Sequence, residues 1–345
     1  MMRITALLFC IVGLGLLVGS GWSVWARCQA DEDAGLLAMR DTFVREPTMA
    51  PFPKGNPYSP AKRALGERLF FDPILSKNNN VSCATCHDPD RGWEDGAALS
   101  ATHRGDSMSR HTPTLLNVGW GVVYFWDGRA ATLEAQALSP IVSDDEMAAS
   151  ETMILERLNA DASYREAFEA VFPGLGVSLE GVLCALATFE RTIVSGEAPF
   201  DRWVGGDETA ISPSAKRGFE LFTGKANCVA CHQGWRFTDD GFHDIGLPDA
   251  DRGRGAVMPG IEVLEHAFKT PTLRDVAIRA PYMHDGSLPS LEAVIEHYDG
   301  GAVPRRSLSA AVRPIGLSAQ DKEDLVNFLH TLTEDRPLVT AEAAP

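Results

Sequence analysis

The sequence predicts a mainly α-helical protein made of two similar domains, and three observations support this prediction. Residues 61–70 and 215–222 open with the same Ala-Lys-Arg triplet, place apolar residues at helical spacing and lead into a Cys-x-x-Cys-His motif. No convincing run alternates apolar with polar residues as a half-buried strand would. A chain of 345 residues is also longer than one hydrophobic core usually serves.

The chain opens with a pattern typical of a secretory leader. Arg3 precedes an apolar stretch at residues 4–18, and Val24 and Ala26 stand in positions suited to cleavage. Residues 1–26 are therefore predicted to be a signal peptide that sends the protein to the periplasm, with no stable membrane insertion after cleavage. A retained anchor is the alternative, although the apolar run is short for a spanning helix.

The rest of the chain divides into four predicted segments. An N-terminal domain spans residues 27–200, and a linker spans 201–212 within a stretch rich in Gly, Pro and Asp. A C-terminal domain spans 213–336, and residues 337–345 form a frayed tail.

Two further helices are predicted within these domains. Residues 178–194 place Leu, Val and Phe side chains along one apolar face. The final helix begins at Ser318, whose hydroxyl forms a capping box with Asp321 three residues on.

The charge balance excludes some classes of partner. The chain has 31 Lys and Arg against 47 Asp and Glu, a formal net charge of -16. Nucleic-acid and anionic-membrane binding need clustered basic residues, which this sequence lacks. A protein partner with a basic surface is the more plausible one.

Each Cys-x-x-Cys-His motif predicts covalent haem attachment, because two thiols on one turn can form thioethers while the adjacent histidine reaches the iron. A zinc site and a redox dithiol are the alternatives. Zinc would need further ligands at matched spacing, and a dithiol needs no histidine after both pairs. The predicted attachment and axial residues are Cys83, Cys86 and His87 in the first motif and Cys228, Cys231 and His232 in the second.

Three cysteines lie outside the motifs. Cys10 belongs to the predicted leader. Cys28 and Cys184 could form a disulfide in an oxidising compartment, but Cys184 is better explained as a buried helix residue.

Several segments beyond these motifs carry a family resemblance: residues 125–130 (FWDGRA), Gln136, Pro140, the pair Glu146-Met147, residues 269–274 (KTPTLR) and residues 281–286 (PYMHDG). On these residues, nearly all of the mature chain resembles the bacterial di-haem cytochrome c peroxidase and MauG superfamily, in its MauG-like branch. The resemblance implies two cytochrome c-like domains, each wrapping one covalently bound haem c. It also implies that the first haem is peroxidatic, that the second transfers electrons, and that Trp126 lies between them.

The resemblance implies that Gln136, Pro140 and Glu146 surround the open face of the first haem. Heterolytic cleavage of an O–O bond needs a group that takes a proton from the near oxygen and delivers it to the leaving one. Glu146 suits this role, and Gln136 can hydrogen-bond peroxide without carrying charge. Without the resemblance, Glu146 would be interpreted as a solvated member of the acidic run at residues 144–146.

Two histidines depart from or extend the family pattern. In the peroxidase branch, a loop histidine can occupy the sixth position of the first haem, and His103 falls at that place. Exposure to solvent is the other interpretation of His103. His111 stands where the family usually has an asparagine that helps to bind Ca²⁺ between the domains, which puts that ion in doubt.

The second haem carries the most informative departure. The family's peroxidases supply an axial methionine from the helix after the PYxHDG segment, and this chain has Tyr298 at the matching position, as MauG-type enzymes do. Met283 and Met258 compete for the role, but both precede the family's ligand position. His297 is a neighbour that points about 100° away on a helix. The predicted ligand is Tyr298.

Three functions follow from this resemblance and chemistry. The first is a MauG-like enzyme that reduces hydrogen peroxide and oxidises a partner protein through a high-valent di-haem state. The second is a peroxidase that detoxifies hydrogen peroxide with electrons from a small cytochrome c or cupredoxin. The third, a di-haem electron carrier, has no use for Gln136 and Glu146. Tyr298 favours the first.

Overall fold

The computed structural model describes residues 35, 38–45, 49–102 and 104–335, and those from Thr42 onward belong to one compact unit. The predicted signal peptide and tail, Cys28 and His103 lie outside the described residues. The predicted, mainly α-helical fold is confirmed. The first half, residues 49–198, contains the helices α1 (Pro60–Phe71), α2 (Cys83–Cys86), α3 (Leu133–Val142), α4 (Glu151–Ala160), α5 (Ala162–Val171) and α6 (Leu179–Glu190).

The second half, residues 199–335, has the same helical character. Its strands are only two residues each and pair antiparallel, with Phe242 opposite Lys269. The elements are α7 (Pro199–Val204), α8 (Pro213–Thr223), β1 (Phe242–His243), α9 (Arg254–Val257), β2 (Phe268–Lys269), α10 (Leu291–Glu296) and α11 (Ala319–His330).

Both predicted helix openings form for the same local reason. The Ser59 hydroxyl accepts a hydrogen bond from the Lys62 amide at the start of α1, and Ser212 accepts one from Ala215 at the start of α8. A proline follows each cap, where its missing N–H costs nothing and its fixed φ suits the helix.

Each half is built on one close helix crossing, and a glycine makes it possible. A Cβ added to Gly66 in α1 would lie 1.9 Å from the Ala185 carbonyl oxygen in α6. A Cβ added to Gly218 in α8 would lie 2.0 Å from the Asp324 carbonyl oxygen in α11. Only glycine lets the two backbones approach this closely. The repeated sequence segments therefore form the same kind of helix crossing in both halves.

The cores of the two halves differ in composition. The first is mostly aliphatic, with Leu69, Ile154 and Val182 fully buried. The second is a cluster of aromatic rings in edge-to-face and tilted contact, which includes Phe200, Phe219 and Phe328. Such ring pairs contribute about 0.5–1.5 kcal/mol each beyond the area that they bury.

The first residues of the predicted linker, 201–204, belong to a helix. Residues 199–204 form the helix α7, and the Trp203 side chain is 1% exposed against Phe219. Phe43 also packs on Phe200 and Phe219, so a residue expected in the N-terminal domain contributes to the second core. Gly and Asp around these positions suggested a flexible connection, but the aromatic side chains bury themselves in the nearest apolar cluster.

The two helices predicted near the end of each half are present. Ser178 caps α6, which ends at Glu190 rather than at residue 194. Ser318 and Asp321 form the predicted capping box at the start of α11. Within the part of the chain that the structure describes, no helix has the length and apolar character needed to cross a membrane.

Candidate haem-binding and peroxide site

A single cavity of about 700 Å³ contains the chemistry that the sequence predicted. Both Cys-x-x-Cys-His motifs line it, so the two halves share one continuous interior space. The cavity wall also includes the predicted residues Trp126, Gln136, Pro140, Glu146 and Tyr298.

The two motifs fold into matching turns. The His87 amide donates to the Cys83 carbonyl at 2.9 Å, and the His232 amide donates to the Cys228 carbonyl at 2.9 Å. Each turn brings its two sulfurs and its imidazole to the same part of the cavity wall. This is the arrangement that covalent attachment and axial ligation of one haem per motif require.

The imidazoles are oriented by the residues that follow them. Nδ1 of His87 lies 3.0 Å from the Trp93 carbonyl oxygen, and Nδ1 of His232 lies 2.9 Å from that of Phe237. A carbonyl only accepts, so Nδ1 carries the proton and Nε2 is free to bind a metal. Both acceptor residues have φ in the left-handed region, 65° and 54°, which is unusual for bulky side chains.

The cavity wall fits two haems in other respects. Burial lowers the pKa of both His87 and His232, which keeps the imidazoles neutral and able to ligate iron. The His284 ring is 3% exposed, and its Nε2 has no hydrogen-bond partner among the described residues. Asp249 Oδ1 lies 3.6 Å from this Nε2, too far for a hydrogen bond, so the imidazole can still hydrogen-bond a group that enters the cavity.

The predicted peroxide pocket lies on one face of α3. Leu133, Gln136, Ala137 and Pro140 line the cavity at the i, i+3, i+4 and i+7 positions of this helix. The chain then turns back, and the Met147 amide donates to the Pro140 carbonyl at 3.0 Å. This turn brings Glu146 into the same wall.

Glu146 is not a solvated member of the acidic run. Asp144 and Asp145 are exposed, whereas Glu146 is half-buried and faces the cavity. Burial raises the pKa of Glu146 and Asp145 raises it further, while the Arg129 charge opposes both. A carboxyl group with a raised pKa beside an open cavity is suited to proton transfer.

Trp126 connects the two halves. Its indole Nε1–H donates to the His111 carbonyl at 2.8 Å within the first half. Its own carbonyl accepts a 2.8 Å hydrogen bond from the Lys269 amide of β2 in the second half. Trp126 is therefore hydrogen-bonded to the first half through its side chain and to the second half through its backbone, at the cavity wall.

A buried charged network that the sequence did not reveal surrounds His111. Its Nδ1 lies 2.8 Å from the Ala97 carbonyl oxygen and its Nε2 lies 3.1 Å from Glu94. Glu94 also accepts a 2.7 Å bond from Arg279 of the second half. Burial alone lowers the pKa of His111, but the hydrogen bond and charge of Glu94 raise it above its usual value. Both ring nitrogens thus have partners, and the side chain offers no oxygen to Ca²⁺.

Tyr298 stands in the cavity wall beside the second motif. Leu291, Val294, Ile295 and Tyr298 line the cavity with the same spacing that α3 shows. Burial is the largest cause that raises the pKa of Tyr298, so its phenol is neutral unless a cation lies close by. His297 is hydrogen-bonded to the Ile245 carbonyl at 2.9 Å and does not line the cavity.

The competing methionines differ in position. Met283 lines the cavity, whereas Met258 is 40% exposed and lies outside its wall. Cys184 lies in α6, partly buried, and its proposed partner Cys28 is outside the described residues.

The two halves have equivalent residues around the cavity. Tyr124 bridges to Ala130 and Tyr282 bridges to Leu288, so residues 124–130 (YFWDGRA) and 282–288 (YMHDGSL) form the same tight loop. Counted from these loops, Pro140 of the first half corresponds to Tyr298 of the second. Proline has no ligand atom, whereas tyrosine has a phenol oxygen. The first half therefore has no ligand atom at the position where the second half has a phenol oxygen that can bind iron.

The fold and this cavity define a di-haem c-type cytochrome. Residues 60–209 match the family model of di-haem cytochrome c peroxidases, and residues 215–333 match that of cytochrome c. The chain belongs to the di-haem cytochrome c peroxidase and MauG family, and it carries two covalently bound haem c groups.

Named relatives agree with this membership. The methylamine utilization protein MauG of Methylorubrum extorquens is 49% identical over 323 residues, which is 93% of this chain and 92% of that protein. Cytochrome c551 peroxidase of Pseudomonas aeruginosa is 32% identical and covers 85% of this chain and 84% of that protein. A solved MauG-like protein associated with microbial copper homeostasis superposes with a TM-score of 0.79 at 32% identity, over 86% of this chain and 95% of that one.

These findings confirm the predicted class of activity. The chain is a MauG-like di-haem peroxidase, an oxidoreductase that acts on peroxide together with a protein redox partner.

Proposed function

We propose that this chain reduces hydrogen peroxide at the first haem and uses the two oxidising equivalents to oxidise a partner protein. The observation that supports this most directly is the equivalence of Pro140 and Tyr298, which leaves the first haem open to peroxide and gives the second a phenol ligand. When bound, the haems supply the iron at which the O–O bond of peroxide is split and through which electrons are drawn.

Glu146 moves the proton that this cleavage requires. Its carboxylate takes the proton from the peroxide oxygen nearer the iron and delivers it to the distal oxygen, which leaves as water. The raised pKa of Glu146 brings the carboxyl closer to neutral pH, where both transfers are feasible. Gln136, one turn before Pro140 on α3, hydrogen-bonds peroxide without adding charge.

Tyr298 determines what the second haem can do. A neutral thioether stabilises reduced iron, whereas a phenolate is an anionic oxygen donor that favours higher oxidation states. With Tyr298 as its ligand, the second haem is suited to holding an oxidising equivalent and is a poor store for an electron. Trp126 then carries charge between the halves, since it is hydrogen-bonded to both.

The partner is a protein with a basic contact surface, given the net charge of -16. The proposed compartment is the periplasm, because residues 1–26 have the pattern of a secretory leader. Oxidation at long range suits a partner too large to enter the cavity.

One experiment tests the proposal. Hydrogen peroxide is added in a 1:1 ratio to the fully oxidised protein, with no prior reduction, and the electrons that the product accepts from ascorbate are counted. Two electrons per peroxide are expected. If the protein reacts only after one-electron reduction and then turns over with a reduced small cytochrome c or cupredoxin, the proposal is wrong and the detoxifying peroxidase is the function.

A further inference from the structure

Glu190 is a buried carboxyl group that the proposed chemistry does not use. It is the last residue of α6, its side chain lines the cavity, and the residue is 5% exposed. Its Oε2 atom is fully buried and has no hydrogen-bond partner among the described residues. A buried carboxylate without a partner is strongly disfavoured, so such a group needs an explanation.

The charged groups nearby do not neutralise Glu190. Arg191 follows it in the chain, but its guanidinium donates to Glu134 of α3 at 2.8 and 3.1 Å. Glu134 therefore neutralises the Arg191 guanidinium, and its own carboxylate adds a negative charge near Glu190. The other titratable groups near Glu190 are Cys83 of α2 and Tyr124. The cysteine is a neutral thioether once haem is attached.

The result is a carboxyl group poised near neutral pH. Burial raises the pKa of Glu190 from 4.5 to about 7, with the Arg191 charge opposing and Glu134 reinforcing this shift. The protonation state of Glu190 therefore depends on small changes in the surrounding charge.

The second half supplies an internal comparison. At the two helix crossings, Gly66 contacts Ala185 and Phe189, and Gly218 contacts Asp324 and Phe328. The next residues along α6 and α11 are Glu190 and Leu329, and both line the cavity. Leucine meets the packing needs of this position at no electrostatic cost. Packing thus does not account for the carboxyl group in the first half.

We propose that Glu190 is the proton-exchanging partner of the first haem: it binds one proton when one electron enters this haem and releases that proton when the electron leaves. The electron comes from an external reductant and the proton comes from solvent, and the only bond made or broken is the carboxyl O–H bond. The added negative charge on the haem side favours the protonated carboxyl group, because among the described residues Oε2 of Glu190 has no hydrogen-bond partner and Arg191 is paired with Glu134.

The inference requires only that the first haem is attached at Cys83 and Cys86. It is independent of Glu146, of peroxide cleavage and of the partner protein. Its failure and the failure of the proposed function would therefore be separate results.

The test is a spectroelectrochemical titration of the complete di-haem protein between pH 5 and 9, without peroxide. In the wild type, the equilibrium constant for reducing the first haem should fall by up to tenfold per pH unit as Glu190 loses its proton in the oxidised form. Glu190→Gln should lose this slope. Glu180→Gln, an exposed carboxyl group on the same helix, should keep it. A slope retained in Glu190→Gln overturns the proposal, as does a wild type with no slope.

A second measurement covers a Glu190→Gln variant that does not fold. Infrared difference spectra of the wild type, recorded near pH 7 as the first haem is reduced, should gain the C=O stretch of one protonated carboxyl group. The same band should appear in Glu180→Gln. If reduction adds no protonated carboxyl band, Glu190 does not take up the proton and the proposal is wrong.

Discussion

The rings of Trp126 and His284 meet edge to face at the junction of the two halves, with 6.5 Å between their centroids and 68° between their planes. They occupy equivalent positions in the loops of residues 124–130 and 282–288. The His284 carbonyl also accepts a 2.8 Å hydrogen bond from the amide of His111, the residue whose carbonyl holds the Trp126 indole. Trp126 and His284 each follow the bridging tyrosine of their loop by two residues, so the duplicated loops meet at equivalent positions.

Replacing Trp126 with Phe should slow transfer between the halves. The variant loses the indole N–H bond to His111 and the ring that is easiest to oxidise. The rate at which the partner protein is oxidised should fall by roughly tenfold or more, which raises the barrier by at least about 1.4 kcal/mol. The rate of the first reaction with peroxide should not change. Stopped-flow absorbance separates the two steps. Trp203→Phe, which removes a buried indole outside the cavity, is the control, and equal loss in both variants would contradict the assignment.

Replacing Glu94 with Gln should destabilise the junction. Glu94 is 4% exposed as a side chain and pairs with Arg279 at 2.7 Å, so the variant leaves a buried guanidinium without a counter-charge. The free energy of unfolding should fall by about 3–5 kcal/mol, measured with urea. The exposed pair of Glu262 and Arg306 gives the control. Glu262→Gln should cost less than about 1 kcal/mol. Equal effects would mean that Glu94 is not a buried counter-ion.

Replacing Glu146 with Gln should slow the reaction with peroxide by about 10²–10⁴-fold, the range of general acid–base catalysis. In the wild type, the rate should fall as pH drops through the raised pKa of Glu146, because the carboxylate must be ionised to accept the first proton. The variant should lack this dependence. Asp144→Asn, an exposed carboxylate in the same turn, should behave as the wild type does. Unchanged kinetics in Glu146→Gln would mean that another group transfers the proton, and His103 is the next candidate.

Replacing Tyr298 with Met should raise the potential of the second haem, because a thioether favours reduced iron more than a phenolate does. The variant should also need one-electron reduction before it reacts with peroxide. Spectroelectrochemical titration measures the shift. Tyr282→Phe removes a phenol hydroxyl that donates to the Val276 carbonyl at 2.9 Å. This control variant should keep the wild-type potential of the second haem. A Tyr298→Met protein with the wild-type potential would exclude Tyr298 as the ligand.

Replacing Gly66 with Ala should weaken the first half. The new methyl group would lie 1.9 Å from the Ala185 carbonyl oxygen, so the helices α1 and α6 must separate. Overpacking of this kind costs about 1–3 kcal/mol. Gly55→Ala, with nothing within 4 Å of the added Cβ, should change the free energy of unfolding little. Urea unfolding of both variants checks this, and a Gly66→Ala protein as stable as Gly55→Ala would show that the crossing tolerates a wider spacing.

Local signals in the sequence were sufficient for much of this protein. The Cys-x-x-Cys-His turns, the serine caps at residues 59 and 212 and the capping box at Ser318 each depend on residues a few positions apart, so their geometry is encoded within one turn of chain. The family resemblance added Gln136, Pro140, Glu146 and Tyr298, and the cavity contains all four.

Packing between distant segments decided the rest. Glu94, His111 and Arg279 form one network although Glu94 and Arg279 are 185 residues apart, and nothing local in the sequence joins them. Glu190 is the last residue of an ordinary amphipathic helix, and its place in the cavity wall depends on how α6 packs against α1. The helix α7 includes the first four residues of the predicted linker, and its aromatic side chains are buried in an apolar cluster. A sequence pattern specifies which face of an element is apolar, whereas the tertiary structure determines what that face meets and which polar groups are taken out of water with it.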